Sequence, residues 1–91
     1  MARSACTAEI HGRVQGVGFR YHTQTTARSL GVVGWVRNRR DGTVEVRAEG
    51  EAEALAEFRR YLHQGPPTAH VERVEVRSVE PTGEHRSFVV R

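Results

Sequence analysis

VVGWVRNRRDGTVEVRAE, residues 32–49, reads as two strands folded about a turn. Val44, Val46 and Ala48 alternate with Thr43, Glu45, Arg47 and Glu49, the period of two of a strand with one buried face. Asp41-Gly42 supplies the turn, and residues 32–38 supply the preceding strand. Outward from this hairpin, both flanks switch to a helical period. On the C-terminal side, over residues 51–64, Ala54, Leu55, Phe58 and Leu62 fall on one side; acids occupy the first turn and Gly65-Pro66-Pro67 is the stop. On the N-terminal side, residues 21–30 end at Gly31 and put Phe19, His22, Thr26 and Leu30 on one stripe, although threonines at 23, 25 and 26 lower helix propensity.

Beyond the helices come the outer strands. Cys6, Ala8 and Ile10 alternate with Thr7, Glu9 and His11; residues 71–79 alternate through Val74 and Val76; residues 87–90 form a short closing strand with Phe88. The order is strand, helix, strand, strand, helix, strand, with a short strand last. It predicts an α+β fold of the split βαβ kind, an antiparallel sheet with both helices on one face.

A chain of 91 residues has room for one two-layer core, so residues 1–91 are expected to form a single domain with any chemistry in one small site. Hydrophobic residues at 37% and charged residues at 27% suit a chain that folds rather than a disordered one. No apolar run approaches the roughly 20 residues of a membrane span, and Met1-Ala2-Arg3-Ser4 lacks the apolar stretch of a signal peptide. The expected location is the cytoplasm, with which a single cysteine, Cys6, agrees. The net charge of +3 points to an anionic partner, either nucleic acid or a small molecule. All 14 basic residues are arginine, which removes lysine Schiff-base chemistry and the phosphate-binding lysine of the GxxxxGK[ST] loop. Asp41, the one aspartate, sits in the hairpin turn, where a nucleophilic role is not expected.

Between the first strand and the first helix lies Gly12-Arg13-Val14-Gln15-Gly16-Val17-Gly18-Phe19-Arg20. Glycines at 12, 16 and 18 let the backbone take positive φ and converge its N–H groups on one anion, and an arginine adds a fork of donors. A helix beginning near Arg20 would turn its free N–H groups and positive dipole end toward the same point. Asn38, at the end of the second strand, is the other candidate; taken alone it reads first as a strand-ending residue bonded to its own backbone. Arg37, Arg39 and Arg40 read as a solvated basic face.

GRVQGVGFR at 12–20, then GWVRN at 34–38, then Gly42, Val44 and Gly50, closely resembles the two signature segments of the acylphosphatases, and Phe88 with Val89-Val90-Arg91 is similar to the family's closing strand. The resemblance spans nearly the whole chain. It implies a ferredoxin-like sandwich and metal-free hydrolysis of the carboxyl–phosphate bond of acyl phosphates to carboxylate and inorganic phosphate. Carried over by motif position, Arg20 and Asn38 would be the catalytic pair, and Gln15, Gly16, Val17 and Gly18 with the amides of Phe19 and Arg20 would hold the phosphate. No cofactor or metal is implied, and the partners are a small-molecule acyl phosphate, with inorganic phosphate as product and competitor.

The residue types suit that chemistry. Arg20 stays charged at any working pH and can grip two phosphoryl oxygens. Asn38 has no useful basicity, so it can aim a water but not deprotonate it; the base is then an oxygen of the substrate's own phosphate. A cysteine phosphatase would need Cys-x₅-Arg, whereas Cys6 and Arg13 are one residue too far apart, and Cys6 reads as a buried strand residue. The histidines at 11, 22, 63, 70 and 85 show no HxH or HxxxH spacing, so no zinc site is expected. His11 and His22 read as surface or packing residues, and Trp35 and Phe88 as core aromatics.

The alternative function is a basic ferredoxin-like module that binds RNA or senses anions without catalysis. RNA-recognition modules of this fold carry a string like [KR]G[FY][GA]FVx[FY], which is missing here, so no nucleic-acid or membrane partner is expected. A chain that runs from a methionine to just past its last strand reads as a free-standing enzyme, and nothing in it demands more than a monomer.

Overall fold

The computed structural model describes residues 2–91. The elements run β1 (Arg3–Arg13), α1 (Phe19–Leu30), β2 (Val33–Asn38), β3 (Val44–Glu51), α2 (Ala52–Gln64), β4 (His70–Val79) and β5 (Phe88–Val90). They form one five-stranded sheet in the order β4-β1-β3-β2-β5. The pairs β1/β3, β1/β4 and β2/β3 are antiparallel, as the alternation predicts, whereas β5 adds parallel to β2 through Gly34, Trp35 and Val36. The sheet is therefore mixed at one edge. The fold is the ferredoxin-like α+β sandwich.

Ile10, Val36, Val44, Val46 and Phe88 point to the helix side of the sheet and are buried together with Phe19, Ala27, Leu55, Phe58 and Leu62. Phe58 meets Phe88 edge-on, with ring centroids 5.7 Å apart. Each such ring contributes roughly 1.5–3 kcal/mol by leaving water. On α2 the buried residues are Leu55, Phe58 and Leu62, as its pattern predicts. On α1 the buried stripe is Phe19, Thr23 and Ala27, not the one through His22 and Thr26. Thr23 is accommodated on that face by the Tyr61 hydroxyl, 3.2 Å from its Oγ1.

Trp35 is also not where its apolarity suggests. Gly34 and Val36 face the core, so the period of two turns Trp35 to the open face of the sheet. There it is half-buried, with the guanidinium groups of Arg37 and Arg91 at 5.3 and 4.7 Å from the ring centroid.

Strand direction positions the site. β1 and β2 both run antiparallel to β3, so they run parallel to each other and end on the same side. Ile10, Val44 and Asn38 stand in one row across the sheet. The loop that leaves β1 consequently passes beside the end of β2, which carries Asn38.

Candidate active site

The loop between β1 and α1 owes its shape to two left-handed residues, Gly16 at φ +73° and Gly18 at φ +79°. At these angles a Cβ would strain the backbone, even though nothing lies within 4 Å to collide with it. Gly18 is also the N-cap of α1, so it offers no side chain to bond the helix's first amides, and no acid stands in the first turn. The free N–H groups and positive end of α1 are left for an external anion.

Gly16, Gly18, Phe19, Arg20 and Asn38 line one cavity of about 90 Å³, with Val14 at its base and Tyr21 beside Arg20. Two residues 18 positions apart in sequence are thus brought to one point. Arg20 is half-buried, and its Nη1 donates to the main-chain oxygen of Arg91 at 3.0 Å, which fixes the fork. Asn38 is half-buried as a residue, but its Oδ1 is fully buried and accepts no hydrogen bond among the described residues. An unsatisfied buried carbonyl costs about 1–3 kcal/mol.

The other residues expected in the phosphate loop brace it. Gln15 is half-buried, and its Nε2 donates to the carbonyls of Arg39 at 2.7 Å and Thr43 at 2.9 Å, which uses both amide hydrogens. The side chain therefore ties the loop to the β2–β3 turn and does not line the cavity. Val17 packs its side chain against the core and accepts a 2.7 Å hydrogen bond on its carbonyl from Thr68 Oγ1. Phe19 is buried and anchors the start of α1. Its ring lies beneath Gly65, where a Cβ would come to 2.9 Å of Cε2, so the α2–β4 connection holds the loop from below.

Sequence reasoning missed these braces, and Arg91 with them, because each joins segments far apart in the chain. Asp41 is a turn residue, as expected: its Oδ1 accepts from Thr43 N and Oγ1 at 2.9 and 2.6 Å, and the hydroxyl bond leads in holding its carboxyl below the usual range. Cys6 is buried, and that burial pushes its thiol up, away from the reactive thiolate. His22 packs against Tyr61, with Nδ1 2.9 Å from the hydroxyl.

Glu9, His11 and Glu75 converge within 4.8 Å on the open face of the sheet, across two strands, which is why no spacing rule in one segment finds them. Arg39 pairs with Glu9, and Arg73 lies 2.9 Å from Glu75, so the cluster is an ion-pair network already neutralised by cations. It lies across the sheet from the helices, away from the cavity.

The sequence model of the acylphosphatase family matches residues 6–90. A protein of Nocardioides sp. named acylphosphatase is 53% identical over 98% of this chain and 89% of its own length. Another of that name from Thermococcus kodakarensis is 53% identical over 91% of each chain. Among solved structures, an acylphosphatase from Bacillus subtilis is 38% identical and superposes with a TM-score of 0.92 over 97% of this chain and 98% of its own.

Proposed function

The chain belongs to the acylphosphatase family, a hydrolase family acting on acyl phosphates, and on that premise we propose that Arg20 and Asn38 are its catalytic pair. The observation that carries this reading is that Asn38 and Arg20, from separate elements, line one cavity beside the glycines at the start of α1.

The phosphoryl group sits against the amides of the Gly16–Arg20 segment at the N-terminus of α1, with the Arg20 fork on two of its oxygens. The side-chain amide of Asn38 holds a water by hydrogen bonding and aims it at phosphorus, opposite the carboxylate oxygen. No lining side chain is a carboxylate, imidazole or thiolate, so the water's proton passes to a phosphate oxygen. The new P–O bond forms as the bond between phosphorus and the acyl oxygen breaks, and that oxygen leaves with the electron pair as carboxylate. A carboxylate leaves readily and needs no general acid. Arg20 and the amides stabilise the charge that spreads over the equatorial oxygens. The same lining offers no set of metal ligands, so the reaction proceeds on protein groups alone.

This enzyme acts as a monomer on a small molecule, without a nucleic-acid partner. On the open sheet face, where RNA-binding relatives of the fold stack bases, Glu9, Glu45 and Glu75 stand side by side across three strands and engage Arg39, Arg37 and Arg73, which takes those cations away from a nucleic-acid backbone. It works in the cytoplasm, where the unpaired Cys6 stays reduced. The test is release of inorganic phosphate from acetyl phosphate with EDTA present. Turnover that survives chelation is expected, and loss of turnover on chelation would refute the metal-free mechanism.

A further inference from the structure

We propose that Tyr21 is the specificity-determining residue for the acyl half of the substrate, and that its ring makes the site favour acyl phosphates with an aromatic or comparably flat apolar acyl group. The proposal rests on the reading of the cavity as the phosphate site.

The cavity is about 90 Å³, whereas a pocket that encloses an organic ligand runs from about 300 Å³ upward. It has room for a phosphoryl group and a water, each water occupying about 30 Å³ in the liquid. The acyl group must therefore lie on the rim. Of the lining residues, Val14 and Phe19 are buried in the core, the glycines have no side chain, and Arg20 and Asn38 serve the phosphate and the water. Tyr21 alone presents an unused apolar surface. It is 63% exposed, one of the two large exposed hydrophobic residues among those described.

Its position is set by the site. Tyr21 stands in the first turn of α1, where its carbonyl accepts from Thr25 Oγ1 at 3.2 Å, and the Arg20 guanidinium lies over its ring, 5.8 Å from the centroid. A group bonded to a phosphate held by Arg20 starts within reach of that ring. An aromatic acyl group gains area and quadrupole contact there, while an acetyl group is too short to cover it. The contact exists before and during the reaction, so it acts on KM rather than kcat.

The experiment compares benzoyl phosphate with acetyl phosphate for the wild type, Tyr21→Ala, Tyr21→Phe and Arg20→Ala, with inhibition by inorganic phosphate measured in parallel. For Tyr21→Ala the expected result is a KM for benzoyl phosphate raised about tenfold, the scale of a lost aromatic contact. Its kcat, its KM for acetyl phosphate and its inhibition by phosphate should stay within about twofold, and Tyr21→Phe should behave as wild type. Parallel losses on both substrates would overturn the proposal, because Tyr21 would then act through Arg20. So would a ratio of the two KM values in Tyr21→Ala that equals the wild-type ratio, with the wild type active and Arg20→Ala inactive. An inactive wild type or a fully active Arg20→Ala protein would overturn the reading of the site itself, and this proposal with it.

Discussion

Arg20 and Arg91, 71 positions apart, meet at a hydrogen bond from the Arg20 guanidinium to the main-chain oxygen of Arg91, 3.0 Å long. The closing strand thereby reaches across the sheet edge to hold the residue assigned to the phosphate. Arg91 is itself fixed by its N–H, which donates to Val36 O at 2.9 Å, and by its side chain over Trp35. Because the bond uses the backbone of Arg91, deletion and side-chain truncation should differ. Deleting Arg91 is expected to lower kcat/KM for acetyl phosphate about fivefold to tenfold, as for loss of one hydrogen bond to a charged group at a partly exposed site. Arg91→Ala should retain activity within about twofold. Equal losses in the two proteins would assign the effect to the Trp35 contact instead.

Arg20→Ala and Asn38→Ala are each expected to lose at least about 100-fold in kcat, the usual cost of removing one positioned group from a charge-stabilising site. Circular dichroism should show both folded, since neither side chain belongs to the buried core. Arg20→Lys should recover little, because an ammonium cannot reproduce the two-pronged grip. Steady-state phosphate release from acetyl phosphate reads all three, and an Asn38→Ala enzyme with near wild-type kcat would remove asparagine from the mechanism.

Gln15 holds the two halves of the site in register, since it bonds Arg39 O, one residue beyond Asn38, from the start of the loop that ends in Arg20. Gln15→Ala removes the side-chain donor from two carbonyls that keep the N–H groups of Gly42 and Arg39, and the protein should lose about 1 kcal/mol of stability. Its kcat should fall as Asn38 loses its aim, while inhibition by inorganic phosphate stays within about twofold, because the amide cradle does not include this side chain. Weakened phosphate inhibition with unchanged kcat would instead make Gln15 a direct phosphate ligand.

The fold was legible in the sequence wherever one period governed a segment. β1, β3 and α2 each alternate or repeat clearly, and the apolar residues that the pattern names on β1 and β3 are buried; Thr43 and Glu49, which the same alternation sets outward, are buried as well, Glu49 because the backbone of Thr82 and Gly83 covers it. The pattern misleads where residue type and geometry disagree. Trp35 is the largest residue of β2, yet parity with Gly34 and Val36 turns it outward, while Thr23 is polar and fully buried under α2, 3.2 Å from the Tyr61 hydroxyl. In the site, Arg20, Asn38 and the glycines could be named from local chemistry. The direction of the Gln15 side chain and the contact of Arg20 with Arg91 could not, because they depend on which strands neighbour which, and the parallel pairing of β5 with β2 leaves no local mark.

The connection between α2 and β4 should be intolerant of a methyl group. Gly65 has φ +67°, and a Cβ there meets the Phe19 ring at 2.9 Å and Val71 at 3.2 Å. Gly65→Ala therefore combines left-handed strain with a collision against the anchor of the phosphate loop, for an expected loss of roughly 2–4 kcal/mol. Since Phe19 carries the first amides of α1, inhibition by inorganic phosphate should weaken along with stability. Unfolding in urea and a phosphate inhibition series measure the two; a destabilised protein with unchanged phosphate inhibition would show that the loop does not depend on this support.

Glu49 makes the far end of the sheet sensitive to acid. It is fully buried, and burial pushes its carboxyl up, but the N–H groups of Thr82 and Gly83, the Thr82 hydroxyl and the Arg47 guanidinium all donate to it and together hold its pKa at about 2, against 4.5 ordinarily. The folded-state value lies below the unfolded one, so the carboxylate's stabilisation is complete above about pH 4.5 and is lost progressively as pH falls toward 2. Glu49→Gln keeps the volume but removes the charge and sets an NH₂ against donors. It should be less stable than wild type at pH 7, and its denaturant midpoint should fall less on acidification, so that the two curves approach each other near pH 2. Both proteins should bind phosphate alike, because Glu49 stands near the β4–β5 connection, away from the cavity. A constant gap between the curves from pH 7 to pH 2 would mean that the carboxylate's charge contributes nothing and that only the shape of the side chain holds residues 82 and 83.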